Sequence, residues 1–161
     1  MDQSFRKSRI DKIQERLNFD LTEAQKQHKS HKTKGAYLDK AEYGLTATMM
    51  LSGLSVLSTI ALPPVGITMG IITSICGIAE LIVKTVLKKN AIKTQKWYEM
   101  YNLIDDTQSK ISQVVSDVLD DNVITDSELK QVERINSTYR EKLTKLRNEY
   151  LMLEKSIKLK K

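Results

Sequence analysis

Apolar and polar positions divide this chain into three parts of different character. In the middle part, residues 43–87, the stretch 43–79 contains no Asp, Glu, Lys, Arg or His, although 29% of the whole chain is charged. Five of the six glycines and both prolines also lie in this part. Because proline ends a helix, we expect two apolar helices that fold back on each other at residues 63–66, Pro-Pro-Val-Gly.

The two arms of this hairpin have the lengths expected of membrane spans. Residues 44–62 and 65–87 would extend about 28 and 34 Å as helices, against ~30 Å of hydrocarbon in a bilayer. Hydroxyl side chains in the first arm can bond back to helix carbonyls and are tolerated in lipid. Glu80 and Lys84, four apart near the end of the second arm, can pair on one helix face. A two-span transmembrane hairpin is therefore favoured, and the core of a soluble bundle is the alternative.

Small residues recur at intervals of about four in both arms. Such spacing lets two helix backbones approach closely in a membrane, where the hydrophobic effect between helices is absent. We therefore predict that the arms contact each other through Gly44, Thr48 and Ser52 of the first arm and Gly66, Gly70 and Ser74 of the second.

Residues 1–42 form a polar and basic segment before the hairpin. Apolar residues at helical spacing predict an amphipathic helix over residues 4–34, which we expect Gly35 to interrupt. Basic side chains on both sides of the hairpin are expected to bind anionic lipid headgroups, and a solvated helix face is the alternative. The predicted headgroup-binding residues are Lys26, Lys29, Lys32, Lys34, Lys88 and Lys89.

Residues 88–161 contain two apolar stripes with alternating spacings of four and three, on either side of the polar residues 120–125. This heptad spacing predicts a long antiparallel coiled-coil hairpin, followed by a basic tail. Thr125 and Glu128 have the spacing of a capping box at the start of the last helix. The residues predicted to form the coiled-coil interface are Ile104, Ile111, Val115, Tyr139, Leu143, Leu146 and Tyr150.

The chain's charge and its few reactive side chains limit the function classes. The 161 residues carry a formal charge of +6, but basic residues are interleaved with acidic ones. Nucleic-acid binding, which needs a concentrated basic face, is therefore a minority interpretation. One cysteine and two histidines supply neither a nucleophile–base pair nor a metal-ligand set. We expect no enzyme, cofactor, metal or small-molecule substrate.

A partial likeness to a calcium-binding loop lies at residues 117–128. Asp117, Asp121 and Glu128 occupy suitable positions, but Leu119 stands at the third position and Asn122 at the sixth, where glycine is needed. The capping box accounts for Glu128 without calcium. Calcium binding is therefore the weaker interpretation.

The stretch from Lys110, Lys-Ile-Ser-Gln-Val-Val-Ser-Asp-Val-Leu-Asp-Asp-Asn-Val-Ile-Thr-Asp-Ser-Glu-Leu, resembles a segment of uncharacterised invertebrate helical proteins. Many of these proteins are linked to mobile or virus-like elements of the Maverick (Polinton) kind. They share a Gly/Ser-rich apolar hairpin, a basic stretch and a helical hairpin around an acidic turn, and the resemblance extends over residues 36–150. It implies this layout and no assigned activity. The plan is also similar to that of helical pore-formers, which hide an apolar hairpin among amphipathic helices.

Together these patterns predict an all-α, non-enzymatic membrane protein. Lysine-rich flanks on both sides of the hairpin place both termini in the cytoplasm. The lipid membrane is the expected partner, and the C-terminal helices would bind a second copy or another protein, in assembly or membrane remodelling. The alternatives are a soluble pore-forming effector and a soluble structural bundle.

Overall fold

The computed structural model describes residues 3–58, 63–119 and 123–159, with side chains over residues 3–52, 69–116 and 123–156. Within these ranges the chain forms three α-helices and no β-strand. Helix α1 spans Gln3–Ser58, α2 spans Pro63–Leu119 and α3 spans Asp126–Leu159. The predicted all-α class is confirmed.

Two predicted helix boundaries need correction. Helix α1 continues through Gly35 without a break, because a helical glycine costs only about 1 kcal/mol relative to alanine. Pro63 and Pro64 begin α2 and do not form a turn. Proline is compatible with the first turn of a helix, where its missing N–H has no intrahelical acceptor. The turn predicted at residues 63–66 therefore lies within α2, and residues 59–62 are outside the described residues.

A capping box starts α3, as the sequence predicts. The backbone N–H of Thr125 donates to Glu128 Oε2 at 2.7 Å, and the backbone N–H of Glu128 donates to Thr125 Oγ1 at 3.2 Å. The first helical hydrogen bond follows, from Leu129 N to Thr125 O at 3.1 Å. Residues 120–122 of the calcium-loop interpretation lie outside the described residues, and Glu128 serves the helix start.

The chain divides into two compact units. Met1–Lys29 and Lys93–Lys161 form the first, here called the bundle unit, and Ser30–Ile92 form the second, here called the hairpin unit. Each long helix, α1 and α2, contributes one part to each unit.

The bundle unit contains three helices, where the sequence predicts only a pair. Helices α2 and α3 run antiparallel, as the ion pairs Lys93–Glu154 and Lys96–Glu149 show. Helix α1 runs parallel to α3, with ion pairs from Arg6 to Asp126 and from Arg147 to Asp20. The third helix joins because the apolar stripe of α1 enters the core through Ile10, Leu17 and Ala24.

All seven residues of the predicted coiled-coil interface lie in this core. Ile104, Ile111, Tyr139 and Leu143 are buried, and Val115, Leu146 and Tyr150 pack against them. The most enclosed large side chains come from all three helices: Leu17, Met100, Ile104, Ile111 and Val132. The core therefore depends on α1 as well as on the two heptad stripes.

Candidate functional site

The two helices of the hairpin unit run antiparallel and meet through polar side chains. Ser52 Oγ lies 2.8 Å from Thr73 Oγ1, and Thr46 Oγ1 donates to Glu80 Oε1 at 3.1 Å. We call these four residues the inner polar face. Such hydrogen bonds between helices can replace hydrophobic contact where the surroundings are apolar.

Glu80 is the acidic residue of the inner polar face, and it is paired with Lys84. Lys84 Nζ lies 2.7 Å from Glu80 Oε1 and 3.8 Å from Glu42 Oε1. The first distance confirms the predicted pairing of Glu80 with Lys84, four positions further along the helix. The Glu80 side chain is only 13% exposed, whereas that of Lys84 is 53% exposed. A half-buried carboxylate is thus compensated by a cation whose end reaches the surface.

The opposite side of α2 in the hairpin unit exposes large apolar side chains. This surface, here called the outer apolar face, consists of Ile71, Ile72, Ile75, Ile78, Leu81, Ile82 and Val86. On α1 of the same unit, Tyr43, Met50 and Leu51 are also exposed. The hairpin unit therefore exposes large apolar side chains, while the inner polar face lies in the contact between its helices; an exposed apolar patch of this kind is unusual for a water-soluble bundle.

Helix α2 is long and apolar enough to cross a membrane. Among the described residues, one helical stretch, Met69–Ser116, is long and apolar enough to cross a bilayer, and its most apolar part is not buried. The outer apolar face lies within that stretch.

The contact between the arms differs from the predicted small-residue face at four positions. Ser52 lies in the contact, but Gly44, Thr48, Gly70 and Ser74 are exposed. Space around Gly44 and Gly70 is open, whereas Gly77 lies near the Met49 side chain. Small and hydroxyl residues occur on more than one side of both helices, so spacing alone cannot select the face. The side-chain surroundings of Gly66 are outside the described residues.

The predicted headgroup-binding lysines lie at the surface. In the bundle unit, Lys26 and Lys29 are exposed; in the hairpin unit, Lys32, Lys34 and Lys88 are exposed and Lys89 is half-buried. Exposure leaves these side chains accessible to phosphate groups. Their binding to lipid stays a prediction.

The two histidines take part in contacts within their own units. His28 Nδ1 lies 3.4 Å from Thr94 O, and His31 Nδ1 lies 3.1 Å from Asn90 Oδ1, while Asn90 Nδ2 donates to His31 O at 2.7 Å. No group of three or more His, Cys, Asp or Glu suited to a metal ion occurs in the described part of the chain.

An ion-pair network connects α2 and α3 in the bundle unit. Lys96 Nζ lies 2.8 Å from Glu149 Oε2 and 2.9 Å from Glu99 Oε2. These hydrogen bonds raise the pKa of Lys96 above 10.5, and the bond to Glu149 has the larger effect. The bond from Lys96 also lowers the pKa of Glu149 below 4.5. The pairing therefore favours the charged form of both groups.

Several residues of the hairpin contact escape sequence reasoning. Thr46, Thr73 and Met49 lie in it, although the small-residue pattern selects none of them. The signal that could have found the face is Glu80, since an acid in an apolar helix requires a polar partner on the neighbouring helix.

No protein-family model, curated protein or solved structure matches this chain. The resemblance to proteins of Maverick-type elements stays a prediction.

Proposed function

We propose that the protein is a non-enzymatic membrane-anchored protein. In this proposal both arms of the hairpin unit span the bilayer as a two-helix anchor. The C-terminal helices, paired as an antiparallel coiled coil and joined by α1, form a stalk for assembly, partner binding or membrane remodelling.

The observation that carries the proposal is the outer apolar face. Burying one large aliphatic side chain contributes about 1.5–3 kcal/mol of favourable free energy. Removing the seven side chains of the outer apolar face from water would therefore contribute on the order of 10 kcal/mol. A soluble protein would turn this face toward its own core. Lipid is the surrounding that accepts such a face on the outside of a helix pair.

The inner polar face supports the same location. Between helices in a bilayer, hydroxyl contacts such as Ser52–Thr73 contribute about 0.6 kcal/mol on average. The carboxylate of Glu80 is acceptable there because Lys84 and Thr46 compensate it. Lys84, at the end of the arm, can extend its ammonium group to the headgroup region.

A pore-forming effector is the second candidate. It is favoured by the same polar contacts, because several hairpins arranged around an axis could line a water-filled path with Thr46, Glu80 and Lys84. Release of an entrapped dye from liposomes separates the two candidates. A pore-former added from solution releases the dye, whereas a constitutive anchor does not.

Extraction of cell membranes with alkaline carbonate tests the anchor. We expect the full chain to stay in the membrane pellet, and a variant with Ile71, Ile75 and Ile78 replaced by Asp to move to the soluble fraction. A matched control replaces three exposed residues of the bundle unit, Ser137, Thr138 and Leu151, by Asp and should stay in the pellet. Release of the unaltered chain by carbonate would contradict the proposal.

A further inference from the structure

A groove of about 600 Å³ lies between α1 and α3 of the bundle unit. In its lining, Arg9 Nε donates to Glu133 Oε1 at 2.6 Å, which fixes the register of the two parallel helices. Three and seven residues further on, the groove is lined by Lys12 and Arg16 from α1 and by Asn136 and Arg140 from α3. Residues at these spacings share one helix face, so two matched rows line the groove.

The groove has an excess of positive charge. Four basic side chains and one carboxylate line it, and Arg9 already pairs with that carboxylate, Glu133. Asp20, one helical turn after Arg16, has Oδ1 bonded by Arg147 and Oδ2 bonded by Tyr139. Lys12, Arg16 and Arg140 have no ion pair among the described residues. The repulsion between their like charges favours an anion between them.

The side chains favour phosphate over a single carboxylate. The guanidinium groups of Arg16 and Arg140 present planar pairs of N–H donors that match phosphate oxygens. Ser8 and Asn136 add neutral donors. Arg9 and Arg16 are about 10 Å apart along the helix axis, at ~1.5 Å per residue, so the positive charge extends over more than one phosphate.

We propose that this groove binds a ligand that carries two or more phosphate groups, with Arg16 and Arg140 as the principal donors. Its volume is within the range of small-ligand sites, roughly 300–1,000 Å³. The phosphates could belong to a soluble polyphosphate compound or to a phosphoinositide headgroup. The proposal does not depend on where the hairpin unit lies.

Isothermal titration of the full chain in a nonionic detergent with sodium tripolyphosphate tests the site. The Arg16→Gln/Arg140→Gln variant should bind at least about tenfold more weakly, since it loses two charged groups and their charge-assisted hydrogen bonds to phosphate. Both residues are exposed, so an unchanged thermal transition should accompany the loss. The matched control is Arg134→Gln/Lys142→Gln, which removes equal charge outside this groove.

The control distinguishes specific binding in the groove from nonspecific attraction of the anion to a positively charged protein. Unchanged binding in the control, with loss in the groove variant, supports the proposal. Equal weakening of both variants, or the absence of binding by the unaltered chain, would overturn it.

A competition experiment identifies the source of the phosphate. The chain is reconstituted in phosphatidylcholine vesicles with or without phosphatidylinositol bisphosphate, and tripolyphosphate is titrated again. If the phosphoinositide weakens the apparent binding of tripolyphosphate to the unaltered chain, and has no such effect on the groove variant, the groove is assigned to the lipid headgroup. Equal binding in both vesicles, still dependent on Arg16 and Arg140, assigns it to a soluble ligand.

Discussion

The hydroxyl of Tyr139 donates a hydrogen bond to Asp20 Oδ2 at 2.7 Å, joining α3 to α1 across 119 positions of the chain. Both side chains are buried, and Arg147 Nη2 lies 3.1 Å from the second oxygen of Asp20. Burial first, and then the bond to Asp20, raise the pKa of Tyr139 well above 10. The hydroxyl therefore remains a donor at neutral pH, and α1 is held to α3 by a satisfied polar contact.

Replacing Tyr139 by Phe should destabilise the bundle unit by about 1–3 kcal/mol, because the buried carboxylate of Asp20 loses one donor. Urea denaturation of the detergent-solubilised chain, followed by circular dichroism, measures the change. Tyr98→Phe is the matched control, since Tyr98 is 46% exposed. Equal stability of the two variants would contradict a stabilising role of the Asp20 contact.

Leu143→Ala should cost about 2–5 kcal/mol, the usual range for a buried leucine. Leu143 is 5% exposed in the core, whereas Leu151, on the same helix, is 51% exposed. Leu151→Ala should therefore change the unfolding free energy by about 0.5 kcal/mol or less. The same denaturation experiment compares them, and a similar cost at both positions would mean that this face of α3 is not the buried one.

Cysteine crosslinking tests which faces of the two arms meet. In a Cys76→Ser background, Ser52→Cys with Thr73→Cys should form a disulfide readily, because the two hydroxyl oxygens lie 2.8 Å apart. The control pair is Ser52→Cys with Ser74→Cys, since Ser74 is exposed and its hydroxyl bonds to Gly70 O in its own helix. Preferential crosslinking of the control pair would favour the small-residue face expected from the sequence.

The sequence predicts features that depend on local spacing. The capping box joins Thr125 and Glu128, three positions apart, and its hydrogen bonds form as expected. The heptad spacing likewise selects residues that are in the core, such as Ile104 and Leu143. In both cases the information lies within a few turns of one helix.

Features that depend on pairing between distant segments could not be predicted in the same way. The stripe through Ile10 and Leu17 is visible in the sequence, but not the fact that it completes a core with α2 and α3. In the hairpin unit, hydroxyl residues lie on several sides of each helix, so the sequence fits several possible contact faces equally well. The Ser52–Thr73 contact belongs to only one of them. The groove between α1 and α3 requires the register of these two helices, which the Arg9–Glu133 bond fixes in three dimensions.

The stability of the bundle unit should depend on pH through Lys96 and Glu149. The pKa of Glu149 is lowered below 4.5, so its contribution is present above pH 4.5 and is lost as the pH falls through the lowered value. The pKa of Lys96 is raised above 10.5, so its contribution is present below pH 10.5 and is lost as the pH rises through the raised value.

Thermal unfolding of the unaltered chain and of Lys96→Gln, measured from acid to alkaline pH, checks this dependence. The difference in midpoint between the two should be greatest at neutral pH and should shrink in acid and in alkali. Lys110→Gln serves as the control, because Lys110 pairs with Asp106 at an exposed site within one helix and should contribute little. A difference that is independent of pH would exclude the charge pairing as its cause.

Both termini should lie on the cytoplasmic side if the hairpin unit spans the membrane twice. Two spans return the chain to its starting side, and the residues around the prolines, 59–66, carry no charge that opposes their transfer. Lysines on both flanks favour retention in the cytoplasm: Lys26, Lys29, Lys32, Lys34 and Lys40 before the arms, and Lys84, Lys88, Lys89, Lys93 and Lys96 after them.

Protease added outside intact cells should therefore leave epitope tags at both ends uncut, while the same tag inserted after Leu62 should be cleaved. Cleavage of a single terminal tag would indicate that the chain crosses the membrane once. Cleavage of both terminal tags would show that both termini lie outside the cell, contrary to the prediction.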